Sequence, residues 1–268
     1  MLTVKNLDIH VPGKTILKDV SFDLKMGQTL CVVGESGSGK SSLLRALNGL
    51  IPANFASISF HPQGRTPIDL EGRWQRKPGL PETRWVMQDP ISALNPKLPL
   101  GVSIGESVFT ENPTTSALRV AVAEALRDVE LPSIFATRLP AEISMGQAQR
   151  ACLARALIAR PSLIFFDEPL SALDAIVQKQ VAATMKRLQE RFGMTYITVT
   201  HDLGFASAYA DHILVLRDGR VEANQPADTF FNAPESSYCE KLIQAARDLG
   251  GLPEIPVQGT KSLEPQPC

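Results

Sequence analysis

One segment limits what this chain can fold into more than any other. Gly34-Glu35-Ser36-Gly37-Ser38-Gly39-Lys40-Ser41 fits GxxxxGK[ST], and it lies between the apolar run Thr29 to Val33 and leucines 43, 44, 47 and 50 at helical spacing. Strand, glycine-rich loop and helix is the order in which that pattern carries chemistry. Glycines let consecutive backbone N–H groups curl around an oxyanion without Cβ clashes, and the helix N-terminus behind them adds partial positive charge. Lys40 is then placed for β- and γ-phosphates, and the Ser41 hydroxyl for Mg²⁺.

A second apolar run, Leu163 to Phe166, ends in Asp167 and Glu168. Ligands of open α/β sheets bind at the carboxyl ends of strands. Adjacent strand side chains point oppositely, so the two acids are expected to do different work: Asp167 in the Mg²⁺ shell, Glu168 orienting and polarising water. The alternative is a pair capping a helix before Pro169.

The rest of the chain fits this frame. Two or three strands are expected in the first thirty residues, where Val20, Phe22 and Leu24 alternate with polar neighbours, and solvent-facing hairpins and loops over 52–83. Helical spacing over 115–131 and 147–159 marks a helical insert. Afterwards strands at 163–166, 194–200 and 213–216 alternate with helices at 175–192 and 203–210, a βαβ rhythm that implies a parallel sheet. Residues 249–268, with four prolines and no period, read as a mobile tail.

Of 268 residues, 27 are basic and 28 acidic, giving a net charge of −1, which argues against a protein that coats nucleic acid. No apolar run is long enough to insert into a bilayer, and the start lacks a secretory signal pattern, so cytoplasmic residence is expected. Cys31, Cys152, Cys239 and Cys268 lack metal-ligand spacing.

Taken together, the motifs resemble the nucleotide-binding subunits of ATP-binding cassette (ABC) transporters over about residues 2 to 245. Beyond the phosphate loop and Asp167-Glu168, Gln88 resembles the family's Q-loop glutamine, Ile143-Ser144-Met145-Gly146-Gln147 its LSGGQ signature, Ser171-Ala172-Leu173-Asp174 its D-loop and His201 its switch histidine, in the family's order. The resemblance implies an α/β P-loop NTPase: a RecA-like core with a parallel sheet, an N-terminal antiparallel β subdomain and an α-helical insert. The cassette spans 1–248, with core 1–88 and 161–248 and helical subdomain 89–160. It implies ATP hydrolysis by Glu168, His201 and Gln88, nucleotide contacts along Gly34 to Ser42, and Mg²⁺ held by Ser41, Gln88 and Asp167. Ser144, Gly146, Gln147 and Asp174 would contact nucleotide across a dimer.

Gln88-Asp89-Pro90 through Leu94-Asn95-Pro96, and Phe230-Phe231-Asn232-Ala233-Pro234 before Tyr238, resemble the oligopeptide, dipeptide and nickel importer branch. The resemblance therefore implies a second, non-identical ATPase subunit, two membrane-spanning permeases and, indirectly, an extracytoplasmic binding protein, with this chain peripheral at the cytoplasmic face of the inner membrane. Small peptides, nickel or metal chelates are the implied cargo. Some branch members carry a cysteine-rich iron–sulfur extension; with Cys268 alone in the tail, no cluster is expected. The rival readings are a soluble ATPase serving a non-transport enzyme complex and a nucleotide-sensing module without hydrolysis. Two departures stand out. Met145 replaces the first signature glycine, either restricting backbone approach to phosphate or pointing into the insert. Where the family places an aromatic under adenine, only His10 and Val11 are at hand.

Overall fold

A computed structural model describes residues 1–74, 79–111 and 115–252. Two sheets organise the chain. Strands β1 (Leu2–Val11), β2 (Lys14–Leu24), β4 (Ala53–Phe60) and β5 (Ile68–Trp74) form an antiparallel sheet in the order β2-β1-β4-β5. The second has six strands in the order β10-β9-β3-β8-β7-β6. Here β3 (Thr29–Val33), β6 (Thr83–Val86), β7 (Leu163–Asp167), β8 (Thr195–Val199) and β9 (His212–Arg217) run parallel, and β10 (Arg220–Pro226) returns antiparallel at the edge.

The period of two along the buried strands divides the core between the sheet's faces. Leu30, Val32, Leu163, Phe165, Ile197, Val199, Leu214 and Leu216 share one cluster with the antiparallel sheet and helix α1 (Lys40–Leu47). Cys31, Val33, Ile164, Phe166, Ile213 and Val215 share the other with the remaining helices. Continuous apolar runs such as Leu-Ile-Phe-Phe are therefore required, because both faces are covered.

On that second face lie α2 (Leu100–Gly105), α3 (Thr115–Asp128), α4 (Met145–Leu157), α5 (Ala175–Phe192), α6 (Leu203–Tyr209), α7 (Ala227–Asn232) and α8 (Ser237–Asp248). Ion pairs tie the end of α3 to its neighbours: Glu130 holds Arg150 of α4 and Arg187 of α5, and Asp128 holds Arg191. Helix α4 also grips the segment after β6, through Cys152 Sγ to the Pro90 carbonyl (3.4 Å) and Arg155 Nη1 to the Ala93 carbonyl (2.6 Å).

Three expectations need correction. Residues 52–83 do hold the expected hairpin, β4 with β5, but it does not chiefly face solvent: β4 lies inside the antiparallel sheet with Ala53, Phe55, Ile58 and Phe60 buried, and an irregularity between Phe55 and Ser57 interrupts its alternation. Helix α1 stops at Leu47, not Leu50. Gly49 N–H bonds to the Ala46 carbonyl and Leu50 N–H to the Arg45 carbonyl, a Schellman ending with Gly49 at φ 71° and Leu50 left exposed. The tail does not begin loose at 249. Gly250 and Gly251 N–H groups bond back onto α8 and Leu252 is buried in the core; residues 253–268, with Cys268, lie outside the described residues.

Candidate functional site

Five parallel strands end at one edge, and four of them deliver the predicted residues there. Neighbour order in the sheet fixes who meets whom: β3 leads into the phosphate loop, β8 into His201, β7 into Asp167 and Glu168, and β6 into Gln88.

The loop is built on two close approaches. A Cβ on Gly34 (φ 144°) would stand 2.1 Å from the Leu216 carbonyl oxygen, and one on Gly39 (φ 104°) 2.3 Å from a Leu17 methyl. Glu35, Ser36 and Gly37 form the exposed crest, while Ser38 is buried with its hydroxyl unpaired. Lys40 is 7% exposed and folds its ammonium back onto the carbonyls of Gly34 and Glu35, 2.8 Å from each. Burial holds its pKa below the usual lysine value, an effect that Glu168 and Asp167 partly offset. Ser41 and Ser42 sit half-buried in the first turn of α1.

Ser41 Oγ donates to Asp167 Oδ1 at 2.9 Å. Burial raises the Asp167 pKa above the usual carboxylate value and neighbouring Glu168 adds to this, against the lowering effect of the Ser41 bond. A hydroxyl and a carboxylate oxygen side by side, beside an ammonium satisfied only by loop carbonyls, are the hard oxygen donors that Mg²⁺ takes with a nucleotide phosphate. The residues fit the group.

Glu168 is separated from Asp167 by backbone rather than by strand alternation. Strand β7 ends at Asp167, and Glu168 adopts φ 48°, held by its N–H to the Val199 carbonyl (2.9 Å) and by Ser171, whose N–H and hydroxyl both donate to the Glu168 carbonyl. A left-handed glutamate costs about 1–3 kcal/mol, which these hydrogen bonds help to offset. The turn brings Glu168 Oε2 to 3.2 Å from Gln88 Nε2 and 3.4 Å from His201 Nδ1. Gln88 Nε2 also lies 3.4 Å from Ser171 Oγ. In the sequence Ser171 is legible only as part of a motif; its hold on the Glu168 turn comes from the backbone geometry.

The signature residues stand apart from this cluster. Ser144 caps α4, accepting from Gln147 N–H, while Gln147 Oε1 accepts from Ser144 N–H at 3.0 Å, a capping box. A Cβ on Gly146 would meet a Val177 methyl at 2.4 Å, so this glycine is required by the contact with α5. Met145 is 39% exposed and lies outside the apolar core. Asp174 caps α5, accepting from Ile176 and Val177 N–H. His10 and Val11 are exposed at the end of β1, with His10 Nδ1 3.1 Å from Thr15 Oγ1. No helix among the described residues is long and apolar enough to cross a membrane.

Comparison with known proteins identifies the family and the fold. Residues 17–171 match the model of the ABC transporter family. The uncharacterized ABC transporter ATP-binding protein YejF of Escherichia coli K12 is 39% identical over 235 residues, 87% of this chain but only 44% of that protein's length. A putative peptide import ATP-binding protein of Brucella abortus strain 2308 is 34% identical over 264 residues, 96% of this chain and 78% of that one. Among solved structures, the ATP-binding cassette MJ0796, as a dimer in a post-hydrolysis state bound to ADP and Pi, superimposes with a TM-score of 0.68 at 25% identity, covering 85% of this chain and 99% of that one. The fold is likewise that of cbiO1 from Clostridium perfringens, part of the ABC transporter complex cbiONQ, with a TM-score of 0.71 at 22% identity over 93% and 96% of the two chains. The chain belongs to the ABC transporter family, as an ATP-binding cassette that hydrolyses ATP with Mg²⁺.

Proposed function

We propose that this chain is the ATPase subunit of an importer, working at the cytoplasmic face of the membrane with a second, non-identical ATPase, two membrane-spanning permeases and, through them, an external binding protein. The observation that carries the reading is the convergence of Gln88 and His201 on one oxygen of Glu168, beside the Ser41–Asp167 pair. Small peptides, nickel or metal chelates are the proposed cargo, and the peptide-import names of the relatives favour peptides among them.

In this reading each side chain has a separate task. Lys40 and the N–H groups from Gly34 to Ser42 receive the phosphates. Ser41, Asp167 and Gln88 hold Mg²⁺, which supplies positive charge to the phosphate oxygens. Glu168 takes the proton from water, and Gln88 and His201 fix the rotamer of its carboxylate before nucleotide arrives. His201, 65% exposed, is free to turn toward the γ-phosphate. Ser144 and the Gly146 N–H form a second anion-binding helix start, directed at nucleotide on the partner subunit, with Gln147 and Asp174 shaping the helix ends there.

Glu168→Gln in the assembled complex tests the assignment. Loss of the base is expected to lower hydrolysis by about 10²–10⁴-fold while nucleotide is retained; a rate near that of the unmodified complex sinks it. Crosslinking with mass spectrometry in native membranes identifies the partners, and recovery of a soluble enzyme in place of permeases would overturn the transport reading.

A further inference from the structure

The chain that leaves α8 comes back against the start of α6, the helix that follows His201. Helix α8, seated through buried Cys239 and Ile243, ends in a tight turn. Gly250, at φ 74°, donates its N–H to the Arg247 carbonyl and Gly251 donates to the Ala246 carbonyl, each at 2.8 Å. Leu252, 7% exposed, then anchors the turn in the core. So held, the Gly251 carbonyl bears on α6: a Cβ on Gly204 would stand 2.3 Å from its oxygen. From Gly204 the connection to His201 is short. Asp202 caps α6, accepting from the Phe205 N–H at 3.0 Å, and its own N–H donates to Thr200 Oγ1, also at 3.0 Å. The Thr200 N–H in turn bonds to the Val32 carbonyl at 3.2 Å. His201 therefore hangs between a residue pinned to the sheet and one pinned to α6, with its Nδ1 3.4 Å from Glu168 Oε2. A cavity of about 270 Å³ is lined by Glu168, Thr200 and His201 together with Ala246, Leu249 and Gly251, so the site and the C-terminal turn border one space.

We propose that the turn from Gly250 to Leu252 is a positioning element for His201: the Gly251 carbonyl braces the start of α6 and so sets where the imidazole stands relative to Glu168. The proposal rests on the reading of Glu168 and His201 as hydrolytic residues. It assigns a task to backbone atoms about fifty positions beyond His201, after a helix that supplies none of the proposed site residues. Gly204 lies inside α6, where alanine is the better helix former, so the contact with Gly251 is what requires glycine there.

ATP turnover by the assembled complex tests it, with titration of the full chain by the fluorescent nucleotide mant-ADP and Mg²⁺ beside it. Relieving the overlap in Gly204→Ala takes a displacement of roughly 1 Å, and a misplacement of that size costs up to about 100-fold in rate. Gly204→Ala is therefore expected to lower kcat about tenfold or more, with KM for ATP and mant-ADP affinity held within about twofold. Its methyl also comes 3.1 Å from Asp202 Oδ1, so the turn is tested separately by Leu252→Ala, which unseats it without adding an atom near α6. That variant is expected to lower kcat about fivefold. In a His201→Ala background neither substitution should lower kcat further, because the group it displaces is gone, whereas a general loosening of the fold would multiply with the loss of His201. Unchanged kcat in either variant, a parallel loss of mant-ADP affinity, or effects that multiply with His201→Ala overturn the proposal. Should Gly204→Ala fail to fold, Leu252→Ala carries the test on the same criteria. A His201→Ala complex that turns over ATP at the unmodified rate refutes instead the reading of His201 as hydrolytic, and the proposal falls with it.

Discussion

Gly34 and Gly37 are both left-handed glycines in the phosphate loop, yet their replacement by alanine should have very different consequences. At Gly37 (φ 82°) a Cβ meets nothing within 4 Å, so the cost is backbone strain alone, about 1 kcal/mol. At Gly34 (φ 144°) the Cβ would stand 2.1 Å from the Leu216 carbonyl, a backbone atom of β9 where that strand pairs with β10. Strain of about 1–3 kcal/mol and overpacking of similar size then act together, near 4 kcal/mol in all. At roughly 2–4 °C per kcal/mol for a chain of this size, Gly34→Ala should melt about 10 °C below the unmodified protein and Gly37→Ala about 3 °C below it. The assay is thermal unfolding of the full chain, followed by titration with MgADP. Gly34→Ala should also lose affinity, because relieving the contact moves the carbonyl that receives Lys40. Equal melting temperatures for the two variants would refute the argument that the Leu216 contact, rather than glycine content, shapes the loop.

Asp167→Asn should stabilise the nucleotide-free chain near neutral pH, because the native carboxyl, with its pKa raised by burial, pays to ionise there. As pH falls through that raised pKa the native acid protonates and the advantage of Asn disappears, so melting curves collected from pH 7 down to 4 should converge; a gap that widens toward acid contradicts this. Met145→Gly in the assembled complex should raise ATP turnover if the exposed thioether stem crowds the phosphate across the dimer, and an unchanged rate removes that idea. With only His10 and Val11 near the expected base position, ATP and GTP should bind the full chain within a few-fold of each other; a strong preference for ATP in a competition titration would show a base contact formed elsewhere.

Legibility followed the physics of each element. Strands buried on both faces are visible in the sequence for different reasons: Leu163 to Phe166 is an unbroken apolar run, and Thr195–Val199 is made wholly of β-branched residues and a tyrosine. Helix α5 was bounded correctly at 175 and 192, since Asp174 caps its start and Gly193 ends it left-handed. Short elements with weak periods escaped: α2 has six residues, β6 is a four-residue edge strand, and β4 hides behind its irregularity. At the site, the sequence pattern singles out Lys40, Ser41 and Asp167, and the fold brings them to one sheet edge. No pattern could announce the left-handed Glu168 or the Leu216 carbonyl against Gly34, because both depend on how distant segments meet.

The contact between Gly146 and Val177 places the start of α4 against the start of α5, at the end of the helix that carries the signature. With thirteen residues α4 is about 20 Å long, so a turn of about 10° about that contact would carry its far end some 3 Å while Ser144 hardly moves. Cys152 and Arg155 lie along that arm and hold Pro90 and Ala93, so the same swing drags the chain just beyond Gln88. The contacts spaced along α4 thus set how far a tilt of the helix would carry each segment it holds: little at Ser144, and more at Pro90 and Ala93.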